Sequence, residues 1–193
     1  NAHPHTSSDG KFAVVHNGII ENYVALREEL KADGAEFKSE TDTEVIPQLL
    51  ARCYTGDFFE AVAKTVKRLE GSYALGIICT DYPDTLIAVR KFSPLILGLS
   101  DDANYIASDV TAIVSHTKDI MYIEDGEIAV LTPRGVKLYD GDKNELHREP
   151  AVINWDVSAA EKGGYDHFMM KEIMEQPAAV KQTVESRIKG REI

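Results

Sequence analysis

The chain has 193 residues, of which 44% are hydrophobic and 27% charged, and this composition is typical of a globular domain rather than of a disordered or fibrous protein. Its formal net charge of −11 argues against nucleic acid as a partner, because an acidic surface repels the phosphate backbone. The longest apolar runs, such as residues 95–99, have the length of a strand and are too short to cross a membrane, so no membrane partner is expected.

Only two cysteines, Cys53 and Cys79, are present. So few thiols exclude a disulfide scaffold and favour a reducing compartment, and a cytoplasmic location is therefore expected. The chain begins at Asn1 rather than at Met, and it ends in a charged stretch after a helical pattern. Both ends predict that the chain is a fragment of a longer protein.

The first predicted elements flank the pair Asn17-Gly18. Residues 11–16 are a short apolar run that predicts a strand, and residues 20–32 predict a helix because their apolar residues recur with helical spacing. The Asp-Gly pair at residues 33–34 is expected to end this helix. Asn17 and Gly18 are therefore expected at a strand-to-helix corner.

Two further helices are predicted after a short strand at residues 36–39. Thr41 and Glu44 have the spacing of a capping box at the start of the first of these helices. Asp57 is expected to cap the second, which the pattern places at residues 58–71.

From residue 72 the apolar period changes to that of strands. Strand-like segments follow at residues 72–80, 84–91, 95–99 and 104–109. The first two are expected to pair as a hairpin, and a short helix is expected at residues 110–115. Two more hairpins are predicted at residues 121–132 and 135–146, because each contains an Asp-Gly turn pair. Helices followed by a long antiparallel meander predict an α+β fold rather than a doubly wound parallel sheet.

The last part of the chain differs in character. Residues 159–165 predict a linker, and residues 167–188 predict two helices with Pro177 at the start of the second. Three of the four methionines lie in this part: Met169, Met170 and Met174. They are expected either to pack into a core or to form a packing surface for a further domain.

The residues that could take part in binding or catalysis each allow two interpretations. Asn-Gly is the strongest short signal for a type I′ hairpin turn. At a strand-to-helix corner, however, the Asn17 side-chain amide and the Gly18 backbone N–H can together form an oxyanion hole. Asp42 is either a carboxylate that caps a helix or one that binds the ammonium group of a ligand.

No metal site and no cofactor motif is predicted. His3 and His5 are spaced like alternate residues of a strand, but no acidic or cysteine cluster completes a metal site. Cys53, on the predicted core face of its helix, and Cys79, inside an apolar run, are expected to be buried and unreactive. The sequence contains neither a Walker loop nor a dinucleotide-binding glycine pattern, so no cofactor is expected.

Six motifs combine, in order along the chain, into a family resemblance. They are NAHPH, VVHNGIIENY, SETDTEV, SPLILGL, YIASD and KEIMEQP. Together they resemble the amino-terminal glutaminase domain of the glutamine:fructose-6-phosphate amidotransferases, a branch of the class II glutamine amidotransferases. The resemblance covers essentially the whole chain. KEIMEQP is similar to the segment that joins the glutaminase domain to the sugar isomerase domain in this branch.

The resemblance implies an N-terminal-nucleophile hydrolase fold, a four-layer α-β-β-α sandwich, incomplete at its N-terminus. It implies glutamine hydrolysis by an N-terminal cysteine whose own α-amine is the base, with the ammonia used to convert fructose-6-phosphate to glucosamine-6-phosphate. By the same resemblance, Asn17 and Gly18 would form the oxyanion hole. The Gly18 carbonyl and the Asp42 carboxylate would bind the α-ammonium group of L-glutamine.

The resemblance also implies a domain organisation. Residues 1–158 would be the glutaminase domain, and residues 159–193 a linker and helices leading to a sugar isomerase domain that is absent from this chain. The implied partners are L-glutamine and that isomerase domain, with a homodimer expected for the full-length chain. Neither Cys53 nor Cys79 matches the position of the nucleophile, so the chain alone is expected to be inactive.

Two other functions stay open at this point. One is a non-catalytic module that binds an amino acid but has lost the nucleophile. The other is the glutaminase domain of the related phosphoribosyl-pyrophosphate amidotransferase. KEIMEQP and the lack of a cysteine set for an iron–sulfur cluster weigh against this second alternative.

Overall fold

The structure is a computed structural model that describes residues 2–153 and 163–185. The chain divides into two compact units, Asn1–Ile153 and Asn154–Ile193. The first unit contains two sheets and three α-helices, and the described residues of the second contain one helix. Among the described helices, none is both long and apolar enough to cross a membrane.

Two antiparallel sheets form the framework of the first unit. The large sheet has seven strands in the spatial order β1 (His5–Thr6), β2 (Phe12–Ile20), β3 (Gly71–Cys79), β4 (Leu86–Lys91), β8 (Ile128–Thr132), β9 (Gly135–Tyr139) and β10 (Glu145–Leu146). The small sheet has four strands in the order β11 (Ala151–Val152), β7 (Asp119–Tyr122), β5 (Ile96–Leu99) and β6 (Asn104–Ala107). Antiparallel sheets combined with helices confirm the predicted α+β class.

The large sheet separates two cores. One face packs against the helices α1 (Tyr23–Ala32), α2 (Val45–Cys53) and α3 (Phe58–Val66). Phe12 and Leu75 belong to this helix-side core, whereas Ala74 and Leu97 belong to the core between the two sheets. The division follows from strand geometry, because successive side chains of a strand point to opposite faces. The outer face of the small sheet packs against residues that follow a 3₁₀ turn at Val110–Ala112.

Strand β2 is longer than predicted. It pairs with β3 over nine residues, and this register places Asn17 opposite Ala74 and Gly18 opposite Tyr73. The predicted strand-to-helix corner at Asn17-Gly18 is therefore wrong, and so is the hairpin-turn alternative. Pairing with β3 along one edge of β2 holds the strand extended through Gly18, and this outweighs the local turn preference of Asn-Gly.

The segment before α2 also differs from the prediction. Residues 36–39 are not a strand, and Thr41 and Glu44 do not form a capping box. The Glu44 carboxylate instead accepts hydrogen bonds from the backbone N–H groups of Lys38 and Ser39, both at 2.7 Å. The N–H groups of Lys38 and Ser39 are therefore not available to pair in a strand. The Glu44 carboxylate is likewise not available to complete a capping box. Asp57 caps α3 as predicted, accepting the Glu60 N–H at 2.9 Å.

Two of the three predicted hairpins are confirmed. β3 pairs with β4, and β9 pairs with β10. The hairpin predicted at residues 121–132 is wrong, because β7 lies in the small sheet and β8 in the large one. The turn between them carries the chain from one sheet to the other, and its Gly126 N–H donates to the Arg90 carbonyl at 2.8 Å. That bond ties the turn to the end of β4.

Over residues 163–185, the described part of the second unit, the chain forms one helix, α4 (Phe168–Glu185), where two were predicted. Pro177 lies inside α4 and lacks the N–H for one helical hydrogen bond, but good helix formers on both sides allow the helix to continue. Met169, Met170 and Met174 are exposed and form no core among the described residues. The linker predicted at residues 159–165 falls largely outside the described residues.

Candidate active site

Asn17 lies on the face of β2 that points away from the helices. Val14 and His16 are buried on the helix side of the strand, whereas Val15 and Asn17 are exposed on the other side. Asn17 lines a cavity of about 160 Å³ between the large sheet and β6. Its side chain makes no hydrogen bond to any of the described residues, so its amide is available to a ligand.

Gly18 occupies a position that accepts only glycine. Its φ of 131° lies in the region that other residues rarely adopt. A Cβ added to Gly18 would lie 2.1 Å from the carbonyl oxygen of Ser72, which is far closer than van der Waals contact permits. The backbone of β2 therefore has no side chain at the residue that directly follows Asn17.

Asp42 is attached to the same end of β2. Its Oδ2 accepts the backbone N–H of Ile20 at 2.8 Å, so the carboxylate is fixed two residues beyond Gly18. The other oxygen, Oδ1, accepts no hydrogen bond from the part of the chain that the structure describes. The structure thus brings Asn17, Gly18 and Asp42 together although Asp42 is distant in sequence.

The loop that carries Asp42 is held on both sides. Arg27 Nη2 donates to the Thr41 carbonyl at 2.8 Å, and His16 Nδ1 lies 2.9 Å from Thr43 Oγ1. Glu44 is buried and fixes the preceding backbone as described above. The sequence patterns assigned no role at the site to Arg27, His16 or Glu44. The sequence alone places His16 only at the end of the strand predicted at residues 11–16.

His16 is buried, and its burial favours the neutral form of the imidazole. Burial lowers the pKa of His16, because removing the ring from water disfavours the imidazolium, although the nearby Asp42 carboxylate acts in the opposite direction. Its Nε2 has no hydrogen-bond partner among the described residues. The ring therefore connects β2 to the loop of Asp42 through its contact with Thr43.

Neither cysteine faces the Asn17 side of the large sheet. Cys79 is buried in the helix-side core, and Cys53 packs against that same core from the end of α2. Burial raises the pKa of the Cys79 thiol, which is the opposite of the shift that activates a nucleophile. The prediction of a buried thiol is confirmed for Cys79, whereas Cys53 is only half-buried.

The two N-terminal histidines lie near the loop of Asp42. The rings of His3 and His5 are 5.4 Å apart in an edge-to-face arrangement, and His5 Nε2 lies 3.4 Å from Thr41 Oγ1. Within residues 2–153 and 163–185, no group of three or more His, Cys, Asp or Glu side chains could hold a metal ion.

The sequence of the chain matches a known domain family. A model of the glutamine amidotransferase domain matches residues 1–115. Glutamine–fructose-6-phosphate aminotransferase (isomerizing) from Clostridium acetobutylicum is 57% identical over 188 residues, which are 97% of this chain and 31% of the relative. The protein of the same name from Aquifex aeolicus is 53% identical over 184 residues, 95% of this chain and 31% of the relative. The chain thus spans about a third of the length of these relatives.

Solved structures share the fold. Glutamine phosphoribosylpyrophosphate amidotransferase from B. subtilis, complexed with ADP and GMP, matches with a TM-score of 0.65 at 26% identity, over 75% of this chain and 33% of that chain. A class-II glutamine aminotransferase domain protein from Silicibacter pomeroyi matches with a TM-score of 0.53 at 18% identity, over 72% of this chain and 69% of that chain. The second likeness shows the fold alone. Together they agree with the predicted N-terminal-nucleophile hydrolase sandwich.

Proposed function

The chain belongs to the glutamine amidotransferase domain family, and on that basis we propose that its first unit is a glutaminase whose oxyanion hole is formed by Asn17 and Gly18. In the full-length protein, the ammonia released from L-glutamine would convert fructose-6-phosphate to glucosamine-6-phosphate. The name shared by the relatives at 57% and 53% identity supports this acceptor. The phosphoribosylpyrophosphate amidotransferase is only 26% identical to this chain, so it gives weaker support for phosphoribosylpyrophosphate as the acceptor.

The oxyanion hole is the part of the proposal that the geometry supports best. Attack on the glutamine side-chain amide turns its carbonyl oxygen into an oxyanion, which needs donors that are already in place. The Asn17 side-chain N–H and the Gly18 backbone N–H would supply two of them. The observation that carries the proposal is that Gly18 admits no side chain, while the adjoining Asn17 amide lines a cavity and makes no hydrogen bond to a described residue.

Recognition of a free amino acid would come from Asp42 and the Gly18 carbonyl. One oxygen of Asp42 is fixed by the Ile20 N–H, and this leaves the other oriented and available for an ammonium group. A fixed carboxylate makes a charge-assisted hydrogen bond to such a group. The lowered pKa of the buried His16 disfavours a competing positive charge near this carboxylate.

The nucleophile would come from a segment outside these 193 residues. Because Cys53 and Cys79 both lie on the helix side, we assign the role to a cysteine at the amino terminus of the mature full-length protein. Its α-amine would take the thiol proton and the thiolate would bond to the amide carbon. The C–N bond would then break as the α-ammonium group gives that proton to the departing nitrogen, which leaves as ammonia. Water would then hydrolyse the thioester to glutamate and restore the thiol. An upstream segment would also cover the exposed apolar residues Val15, Ile19 and Ile78.

The domain organisation is part of the same proposal. Residues 1–158 would be the glutaminase domain, and residues 159–193 would lead to a sugar isomerase domain. The exposed apolar side chains of α4 are consistent with a surface that this second domain covers. The full-length protein would be a cytoplasmic homodimer.

The test is the release of glutamate and ammonia from L-glutamine. The 193-residue chain is assayed alone, and then with a separate peptide that carries the upstream Cys-first segment. The proposal predicts no activity from the chain alone and restored activity with the peptide. Replacing the first cysteine of the peptide with serine is the matched control and should abolish the restored activity. Activity from the chain alone would contradict the assignment of the nucleophile.

A further inference from the structure

A strained turn lies where the chain leaves the large sheet for the small one, between β4 and β5. The Ser93 N–H donates to the Lys91 carbonyl at 2.7 Å, which closes a γ-turn centred on Phe92. Phe92 has a φ of 62°, a conformation that is rare and costly for a bulky residue in such a turn. Its ring is 68% exposed, so burial of the ring does not offset this cost.

The hydrogen bonds that hold the turn come from Arg90 and Asp125. Asp125 Oδ1 accepts the Phe92 N–H at 2.8 Å, and Arg90 Nε donates to the Ser93 carbonyl at 3.0 Å. Arg90 Nη1 also donates to the Ile123 carbonyl at 2.9 Å and lies 3.2 Å from Asp125 Oδ1. A strained backbone conformation persists only where surrounding hydrogen bonds hold it in place, as they do here. Such conformations concentrate at functional sites.

The turn places Ser93 directly against Gly18. Ser93 Oγ lies 2.9 Å from the position that a Cβ on Gly18 would occupy, and the Ser72 carbonyl oxygen lies 2.1 Å from that same position. The Ser93 hydroxyl makes no hydrogen bond within the described ranges. The side of Gly18 on which a Cβ would lie is therefore closed off by two oxygen atoms that belong to different segments of the chain.

Glycine has more backbone freedom than any other residue, whereas an oxyanion hole works only if its donors are fixed before the reaction. We propose that Ser93 is a positioning residue for the oxyanion hole: its contact with Gly18 fixes the peptide whose N–H would meet the oxyanion. The inference rests on the proposed glutaminase function. The Arg90–Asp125 pair holds the turn, and through it Ser93, against the strand.

The test compares Ser93→Ala with Ser100→Ala in the full-length protein. Ser100 is a serine in the loop between β5 and β6, and its hydroxyl donates to the Ala103 carbonyl. Ser93→Ala should lower the kcat of glutamine hydrolysis about tenfold, which is less than the loss of a whole donor, with KM within about twofold. Ser93→Thr, which keeps Oγ, should restore kcat, and Ser100→Ala should match the wild type.

A second measurement separates positioning from general damage. The aldehyde analogue of glutamine forms a tetrahedral adduct that carries the oxyanion, so its affinity should fall about tenfold in Ser93→Ala, in parallel with kcat. Asp125→Asn, which loosens the turn, should show the same pair of effects. An unchanged kcat and analogue affinity in Ser93→Ala, or a loss confined to KM, would overturn the inference. Failure of the wild-type protein to hydrolyse glutamine would instead overturn the proposed function.

Discussion

Replacing Asn17 with alanine in the full-length protein separates a loss of chemistry from a loss of structure. The Asn17 side chain is exposed and has no hydrogen-bond partner among the described residues, so its removal should change the free energy of unfolding by less than about 0.5 kcal/mol. The loss of one oxyanion donor lowers kcat by about 10² to 10³, or about 2.7–4 kcal/mol of transition-state stabilisation. Asn17→Ala should therefore lose catalysis and keep its fold.

The assay is the steady-state release of glutamate from L-glutamine, with thermal unfolding measured on the same samples. KM should stay within about threefold, because the amide oxygen gains its full charge only in the transition state. Asn144→Ala, in the turn between β9 and β10, is the matched asparagine control and should keep wild-type kcat. The reasoning is refuted if Asn17→Ala keeps kcat within about threefold, or if its only defect is a raised KM.

Three further changes test other parts of the account. Asp42→Asn should lower kcat/KM for L-glutamine about 10- to 100-fold, since a charge-assisted bond is worth about 1.5–3 kcal/mol. With a glutamine analogue that lacks the α-amino group, Asp42→Asn and the wild type should have the same kcat/KM. Gly18→Ala forces a methyl group to within 2.1 Å of the Ser72 carbonyl oxygen and should lower kcat/KM more than about 100-fold. A kcat/KM equal to that of the wild type would contradict the geometry. Arg148→Met breaks a two-bond pair to the buried Glu127, both bonds at 2.7 Å, and should destabilise the first unit by about 3 kcal/mol in urea unfolding. Lys137→Met, at an exposed ion pair, should cost less than about 0.5 kcal/mol and is the control.

Local patterns predicted the elements whose partners are close in sequence. The helix capped by Asp57 and the hairpin of β3 and β4 were predicted, because capping and turn chemistry are local. The extension of β2 through Gly18 depends on β3, which begins at Gly71, and a ladder between such distant segments outweighs the local preference for a turn. The passage of the chain from the small sheet at β7 to the large sheet at β8 likewise depends on the partner strands available to each, and not on the residues of the turn.

The sequence selected candidate residues for the site but did not predict how the fold holds them. Asn17, Gly18 and Asp42 were selected through the family resemblance, whereas the spacing of the residues alone left a turn and a cap as alternatives. The bond from Asp42 to Ile20 joins residues that are 22 positions apart, and no local pattern encodes it. Ser93 was not selected at all, because its proximity to Gly18 arises where the chain crosses between sheets.

The most direct test of the central claim is a crystal structure of the full-length protein with bound L-glutamate, the product of the proposed hydrolysis. The account predicts one oxygen of the side-chain carboxylate within hydrogen-bond distance of both Asn17 Nδ2 and the Gly18 N–H. It also predicts the α-ammonium group within hydrogen-bond distance of the Gly18 carbonyl and the Asp42 carboxylate. Glutamate bound elsewhere, or bound here with its α-ammonium group turned away from Asp42, would contradict the account.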